Sequence, residues 1–230
     1  MRLSYPTPWH QIAALGPHIA RRTRYSVDLF SAGIASRISP PPQIEGLENL
    51  PDDPRFVLVA NHYQRKGLWI LHTGAVLTQL IRTRYGPGDP PVRWIVTANF
   101  PPLRLLGLRV PSPGDWLLPR VAHALDAYPV AFHGHDHRFT ARTMLRLFRE
   151  APRLNRPIGL FPEGAAGMAG HLTTALPGVD RLIAMLAKAG FALQPVGISE
   201  TDRFVIRIGP TVPPREARHA AVMDLIRALL

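Results

Sequence analysis

Two short apolar runs end in side chains that can move a proton or hold a polar ligand. Phe56-Val57-Leu58-Val59-Ala60 is followed at once by Asn61-His62, and Ile158-Gly159-Leu160-Phe161 runs into Pro162-Glu163-Gly164. Runs this short and this apolar predict buried strands. Each therefore sets its polar group at a strand's carboxyl end, where open α/β sheets place their ligands. An imidazole titrates near neutral pH and can take a proton from a hydroxyl as a bond forms. Gly164, lacking a Cβ, lets a ligand approach the backbone beside the Glu163 carboxylate. If the two strands are parallel neighbours, His62 and Glu163 converge on one crevice. Read only as structure, His62 is a core histidine capping a strand and Glu163 a carboxylate at a helix start. A third stretch, Phe132-His133-Gly134-His135-Asp136-His137-Arg138, holds three histidines and a carboxylate, donors that zinc or iron accepts. Metal ligands normally converge from more than one segment, so no metal is assigned.

The elements that must position these groups can be read from periodicity. Besides the two runs above, Arg93 to Thr97, Pro129 to Phe132, Leu193 to Ile198 and Phe204 to Ile208 have strand character. Between them Leu68 to Arg84, Arg138 to Phe148, Val179 to Ala189 and Glu216 to Leu229 show helical spacing. Alternation of this kind predicts an α/β fold, a central mixed or mostly parallel sheet flanked by helices. Residues 9 to 38 read as one or two helices broken near Pro17, with apolar Trp9, Ile12, Leu15 and Leu29 beside Arg21, Arg22 and Arg24. Ser39-Pro40-Pro41-Pro42 then makes a stiff connector. The chain divides into an N-terminal basic amphipathic segment, 1–42, suited to a membrane surface or to packing on its own domain, and an α/β body, 43–230.

Composition narrows the function classes. The 230 residues carry 27 Lys plus Arg against 16 Asp plus Glu, a formal charge of +11, and no cysteine. A chain of this length buries roughly 70% of its unfolded surface and can build a full core. Without cysteine there is no disulfide framework and no thiolate nucleophile. Nearly all the positive charge is arginine, Lys66 and Lys188 being the only lysines. Guanidinium groups favour forked contacts to phosphate or carboxylate, so the partners are polyanions. No zinc-ligand spacing, RNP-type aromatic strand or basic zipper accompanies them, which argues against nucleic acid. No span reaches the roughly 20 apolar residues of a membrane helix; Gly67 to Ile81 is short and interrupted by His72, Thr73 and Gln79. The expected location is the cytoplasm, peripheral on the inner face of the membrane.

Set in order, the motifs resemble a known family. Gly46-Leu47-Glu48-Asn49-Leu50-Pro51, the apolar strand and Asn61-His62 resemble the opening of the glycerolipid acyltransferases, the PlsC-like lysophosphatidate acyltransferases. Gly159-Leu160-Phe161-Pro162-Glu163-Gly164 resembles that family's F-P-E-G block. Leu176-Pro177-Gly178-Val179, Gln194-Pro195-Val196-Gly197-Ile198 and Arg207-Ile208-Gly209-Pro210-Thr211-Val212 resemble its later segments. The resemblance implies transfer of a fatty acyl group from acyl-CoA or acyl carrier protein to the hydroxyl of a (phospho)lipid or glycerolipid acceptor. It implies His62 as general base, and Asn61, Pro162, Glu163 and Gly164 in acceptor binding. The acyl donor is a substrate, and no cofactor is implied; the partners are that thioester, the lipid acceptor and an anionic membrane surface.

The sequence departs from the family at three places. The family's H-x-x-x-x-D motif has Gly67 where the aspartate belongs. Ala165-Ala166-Gly167 follow Glu163-Gly164 where the family has a small polar residue and an arginine. The strand before Arg138 does not end in the phosphate-binding arginine, and Arg138, a few residues on, is the candidate replacement. These departures predict an acyltransferase for an acceptor without glycerol phosphate; the alternative is a catalytically impaired lipid-binding protein on the same fold.

Overall fold

The computed structural model describes residues 3–88, 91–98, 103–105, 108–110, 112–131, 137–164 and 172–230. In chain order the elements are α1 (Trp9–Arg21), α2 (Val27–Ala35), β1 (Gln43–Glu45), β2 (Phe56–Ala60), α3 (Ile70–Tyr85), β3 (Arg93–Thr97), β4 (Leu103–Leu105), β5 (Leu108–Val110), α4 (Pro113–Ala124) and β6 (Tyr128–Val130). There follow α5 (His137–Glu150), β7 (Ile158–Leu160), α6 (Val179–Lys188), β8 (Ala192–Glu200), β9 (Phe204–Ile208), α7 (Pro214–Ala217) and α8 (Val222–Arg227). Seven strands form one sheet in the order β1-β9-β8-β2-β7-β3-β6, and β4 and β5 make a separate hairpin. Among the described residues only the β8–β9 pairing in the large sheet is antiparallel. The fold is the expected layered α/β arrangement with a mostly parallel mixed sheet.

The apolar run of β2 becomes a central strand because both of its faces are covered. Phe56, Leu58 and Ala60 point into the core under α3, with Val76, Leu77 and Ile81. Val57 and Val59 point to the opposite face, with Leu147 of α5 and Ile183 and Leu186 of α6. That is the period-two alternation of a strand, and each large apolar side chain so buried contributes about 1.5–3 kcal/mol. In α6 the buried residues Val179, Leu182, Ile183, Leu186 and Ala187 fall on one stripe, the pattern of a helix laid on a sheet. The N-terminal helices pack on the α3 side: Leu15 of α1 and Phe30 and Ile34 of α2 share a core with Ala75 of α3 and Ala124 of α4.

Four expectations are corrected. The N-terminal break is not at Pro17. Helix α1 runs through that proline to Arg21, with Pro17 and Ala13 both exposed, so the carbonyl that the ring deprives of its partner can be hydrated. The chain turns instead at Arg22, whose φ of 54° is left-handed, and restarts where the Ser26 hydroxyl accepts the Leu29 N–H at 3.2 Å. The C-terminal helix is two short ones. Ala217 and Val222 are both buried, and five residues in one continuous helix would set them about 140° apart, so the chain must unwind between them. The strand near residue 130 is Tyr128–Val130 at the sheet edge, where proline's missing N–H is tolerated; Phe132 lies outside the described residues. Helix α4 was not expected, although Ser112, whose hydroxyl accepts the Gly114 N–H, and Pro113 at the first helical position are start signals.

Candidate functional site

The parallel pairing of β2 with β7, Val57 opposite Ile158 and Val59 opposite Leu160, brings the two polar strand ends side by side. His62 and Glu163 meet there through the backbone: the His62 N–H donates to Glu163 Oε1 at 2.7 Å. The other carboxylate oxygen, Oε2, accepts from the Thr173 N–H and the Thr173 hydroxyl, both at 2.7 Å. Glu163 is 5% exposed, so a buried carboxylate is satisfied by three donors, as burial of a charge requires. Thr173, ten residues on, had no motif to mark it. Glu163 thus joins the loop bearing His62 to the chain leading into α6.

Asn61 is tied down in the same way. Its Nδ2 donates to the Ile198 carbonyl at 2.9 Å and its Oδ1 accepts the Ile198 N–H at 2.7 Å, so the amide carries the β2–β8 ladder one step further. Both hydrogen-bonding ends of Asn61 are directed to the neighbouring strand rather than into the crevice. Pro162 is buried, and its carbonyl accepts the Leu176 N–H. Gly164 closes the turn by donating its N–H to the Phe161 carbonyl at 3.1 Å. Its φ is +65°, and a Cβ would sit 2.0 Å from Leu176 Cδ1; glycine is needed here for both conformation and space. Arg138 lies in the first turn of α5, its side chain outside the described residues, as are His133, His135 and Asp136.

The His62 ring leans on an apolar wall. Phe161 meets it edge-on at 5.6 Å between centroids, and Trp94 stacks on Phe161 at 5.1 Å and 7°. Trp94 is anchored in turn by its indole N–H, which donates to the Thr78 hydroxyl at 3.0 Å. Burial lowers the His62 pKa below its ordinary value, outweighing the nearby Glu163 charge and a backbone hydrogen bond, which raise it. Burial thus favours the neutral ring. Its Nδ1 is buried and has no hydrogen-bond partner among the described residues.

Gly67 offers that nitrogen no side chain. It sits at the tip of a tight turn closed by paired hydrogen bonds between Arg65 and Leu68, with φ +90° and open space around the position of a Cβ. The turn is braced from outside the ring. Arg65 Nε donates to both Glu200 oxygens, at 2.9 and 2.8 Å, and the Tyr5 ring lies 5.2 Å from its guanidinium carbon. His72, in the first turn of α3, accepts the Trp69 N–H on Nδ1 at 3.0 Å and lies 3.1 Å from the Pro6 carbonyl through Nε2. An N–H on Nε2 donating to Pro6 is the tautomer that satisfies both contacts. The N-terminal strap thus reaches the loop that carries His62. Neither Arg65–Glu200 nor Trp94–Phe161 was singled out in the sequence, because each pair joins distant segments.

No protein-family model and no curated protein matches the sequence. The solved structure of the 1-acyl-sn-glycerophosphate (LPA) acyltransferase PlsC from Thermotoga maritima is similar at a TM-score of 0.51 and 16% identity, covering 96% of this chain and 88% of that one. The protein therefore has, over nearly its whole length, the fold of a PlsC acyltransferase.

Proposed function

We propose that the protein is an acyltransferase that moves a fatty acyl group from a thioester, acyl-CoA or acyl carrier protein, to the hydroxyl of a glycerolipid or phospholipid acceptor. The observation that carries this reading is an imidazole at the end of β2, its neutral form favoured by burial, in a residue whose backbone N–H is locked to the carboxylate at the end of β7. The acceptor hydroxyl attacks the thioester carbonyl as its proton passes to His62. The tetrahedral intermediate then collapses, the C–S bond breaks, and the imidazolium returns the proton to the leaving thiolate. With no cysteine in the chain, direct transfer is simpler than a thiol-bound acyl-enzyme. Glu163 acts here as a positioning residue, holding the His62 backbone and the Thr173 segment on either side of the crevice. Arg138 is proposed as a contact for an acceptor's anionic group.

Two further features support a membrane-surface acceptor. Trp9 and Leu29 of the N-terminal helices and Trp116 of α4 are 68%, 65% and 59% exposed, and α1 packs against both α2 and α4, so the three stand on neighbouring helices. Arg21 and Arg22 are exposed on the same helical layer. Aromatic rings beside arginines suit an anionic bilayer interface. Among the described residues no helix is long and apolar enough to cross a membrane.

The test is acceptor-dependent release of thiol from palmitoyl-CoA across a panel of lipid alcohols. Release that no acceptor stimulates would overturn the reading. The pH profile carries a second signature. The base works deprotonated, and burial moves its pKa down from the ordinary histidine value, so the fall of kcat/KM on acidification should come at lower pH than for a solvent-exposed histidine base. A profile that already falls above pH 7 would point to a different base.

Gly67 yields a prediction of its own. Gly67→Asp recreates the family motif, but an L side chain at φ +90° lowers stability by about 1 kcal/mol, and with nothing within 4 Å of the new Cβ no neighbour holds the carboxylate against Nδ1. Denaturant unfolding should show the loss, with no gain in turnover. A large gain would mean that the turn can swing an acid onto Nδ1, and would support the alternative of a lapsed enzyme now only holding lipid.

A further inference from the structure

Three contacts in series lead from helix α3 to the imidazole, and each is shaped for the next. The hydroxyl of buried Thr78 donates to the Gly74 carbonyl at 2.7 Å and accepts the Trp94 indole N–H at 3.0 Å. Its proton and a lone pair are both engaged, so it holds the indole at one height above the sheet. Trp94 of β3 is paired with Gly159 of β7 and lies across it. A Cβ on Gly159 would sit 2.3 Å from Trp94 Cε3 and 2.6 Å from Cδ2, so glycine at 159 opens the seat of the indole. Phe161, two residues along the same strand and therefore on the same face, stacks on the indole at 5.1 Å and 7° and meets the His62 ring at 5.6 Å and 71°.

What this series does follows from what His62 lacks. The second side-chain torsion of histidine is broad, and a carboxylate on the far ring nitrogen is the usual means of holding a histidine base in its working orientation. Here Nδ1 has no partner among the described residues. The bond to Glu163 is made by the backbone N–H of His62, which anchors the main chain and leaves the ring free to turn. Packing against Phe161 supplies the restraint that hydrogen bonding does not. Phe161 is itself only half-buried, and the flat stack on Trp94 is what keeps it from swinging aside. Packing sets the plane of a ring without choosing which nitrogen carries the proton, so the orphaned Nδ1 still slows the base.

We infer that Trp94, anchored by Thr78 and seated on Gly159, is a positioning residue for the transfer: it backs Phe161, so that packing aims the His62 imidazole at the acceptor hydroxyl. The inference rests on the acyl-transfer reading. Its test is a set of variants that leave His62 and Phe161 in place: Trp94→Ala, Gly159→Ala and Thr78→Val. In Trp94→Ala, kcat for acceptor-dependent thiol release from palmitoyl-CoA should fall about tenfold or more, with KM for donor and acceptor staying within about twofold. Gly159→Ala should match it, because the new methyl displaces the indole. Thr78→Val, which keeps the side-chain shape and serves if Trp94→Ala folds poorly, should show a smaller fall that Thr78→Ser restores. A second readout needs no turnover. Burial lowers the His62 pKa against the opposing charge of Glu163, so NMR titration of the ring Cε1–H should move up toward that of an exposed histidine once the wall loosens.

Unchanged kcat and an unmoved His62 titration in Trp94→Ala and Thr78→Val overturn the positioning role alone, acceptor-dependent release by the wild type keeping the transfer reading. A raised KM at constant kcat also overturns it, and makes Trp94 a substrate contact. A shifted titration in a protein whose thiol release no acceptor stimulates keeps the packing of the ring and overturns the transfer reading.

Discussion

His62→Ala is expected to lower acceptor-dependent thiol release by about 10²-fold or more while leaving the fold intact. Proton transfer by a positioned base contributes about 10²- to 10⁴-fold, and this site should fall toward the low end. With no acceptor at Nδ1 among the described residues, nothing fixes the tautomer or stabilises the imidazolium, and in a serine protease the loss of the equivalent carboxylate costs about 10⁴ in turnover. A buried N–H left unsatisfied costs about 1–3 kcal/mol, which penalises the very tautomer that frees Nε2 as a base. Transfer by the wild-type protein should accordingly be slow. The same orphan makes a second, independent expectation. Removing a side chain that carries an unsatisfied buried nitrogen should leave the thermal midpoint almost unchanged, even though the edge contact with Phe161 is lost. Activity lost without stability lost is the signature of a group kept for chemistry. Equal release by the wild type and His62→Ala across the acceptor panel would remove the acyltransferase reading and leave the lipid-binding one.

Glu163 should behave in the opposite manner, losing stability and activity together. Glu163→Ala strands the His62 N–H and both donors of Thr173 in a place only 5% exposed. Breaking a buried, hydrogen-bonded charge typically costs about 3–5 kcal/mol, or roughly 6–20 °C of thermal midpoint for a chain this long. Glu163→Gln is not a mild replacement. All three partners are donors, and a carboxamide brings an NH₂ group to face at least one of them, so rescue should be partial. Thermal unfolding of the two variants separates this role from simple acceptor binding. A carboxylate that only touched a ligand would raise KM and leave the midpoint where it was; one that holds the His62 loop should lower kcat and the midpoint in step. Thr173→Val would remove the hydroxyl donor alone and bring a smaller version of the same loss.

These two residues also divide what was legible in the sequence from what was not. Strands β2, β3 and β9 and helix α6 could be read almost to the residue, because a strand buried on both faces is a continuous apolar run and a helix on a sheet is a one-sided stripe. Each pattern is local. His62 and Glu163 could be picked out for the same reason, since a polar residue directly after an apolar run is visible in the sequence. The errors came where a local rule met a tertiary condition. Pro17 reads as a breaker, but an exposed helix can hydrate the freed carbonyl. Residues 216 to 229 read as one helix until Ala217 and Val222 both have to face the core. Helix α4 was obscured by the two prolines within its bounds, Pro113 and Pro119.

The sequence by itself determined the alternation of strand and helix, the cysteine-free chemistry, the arginine-borne charge of +11 and the two strand ends where a ligand would meet the chain. All of these depend on residue identity and short-range period. Only the tertiary structure decided which strands are neighbours. With that came the partner of each polar group: Ile198 for Asn61, His62 and Thr173 for Glu163, Glu200 for Arg65, and none among the described residues for Nδ1 of His62. Hydrogen bonds and burial are properties of groups brought together from segments as far as 162 residues apart, and no local pattern encodes such a meeting. The departure at Gly67 changes meaning for the same reason. In the sequence it stands where the resembled motif has an aspartate; in the fold it is the tip of a turn at φ +90°, braced through Arg65 by Glu200 and Tyr5.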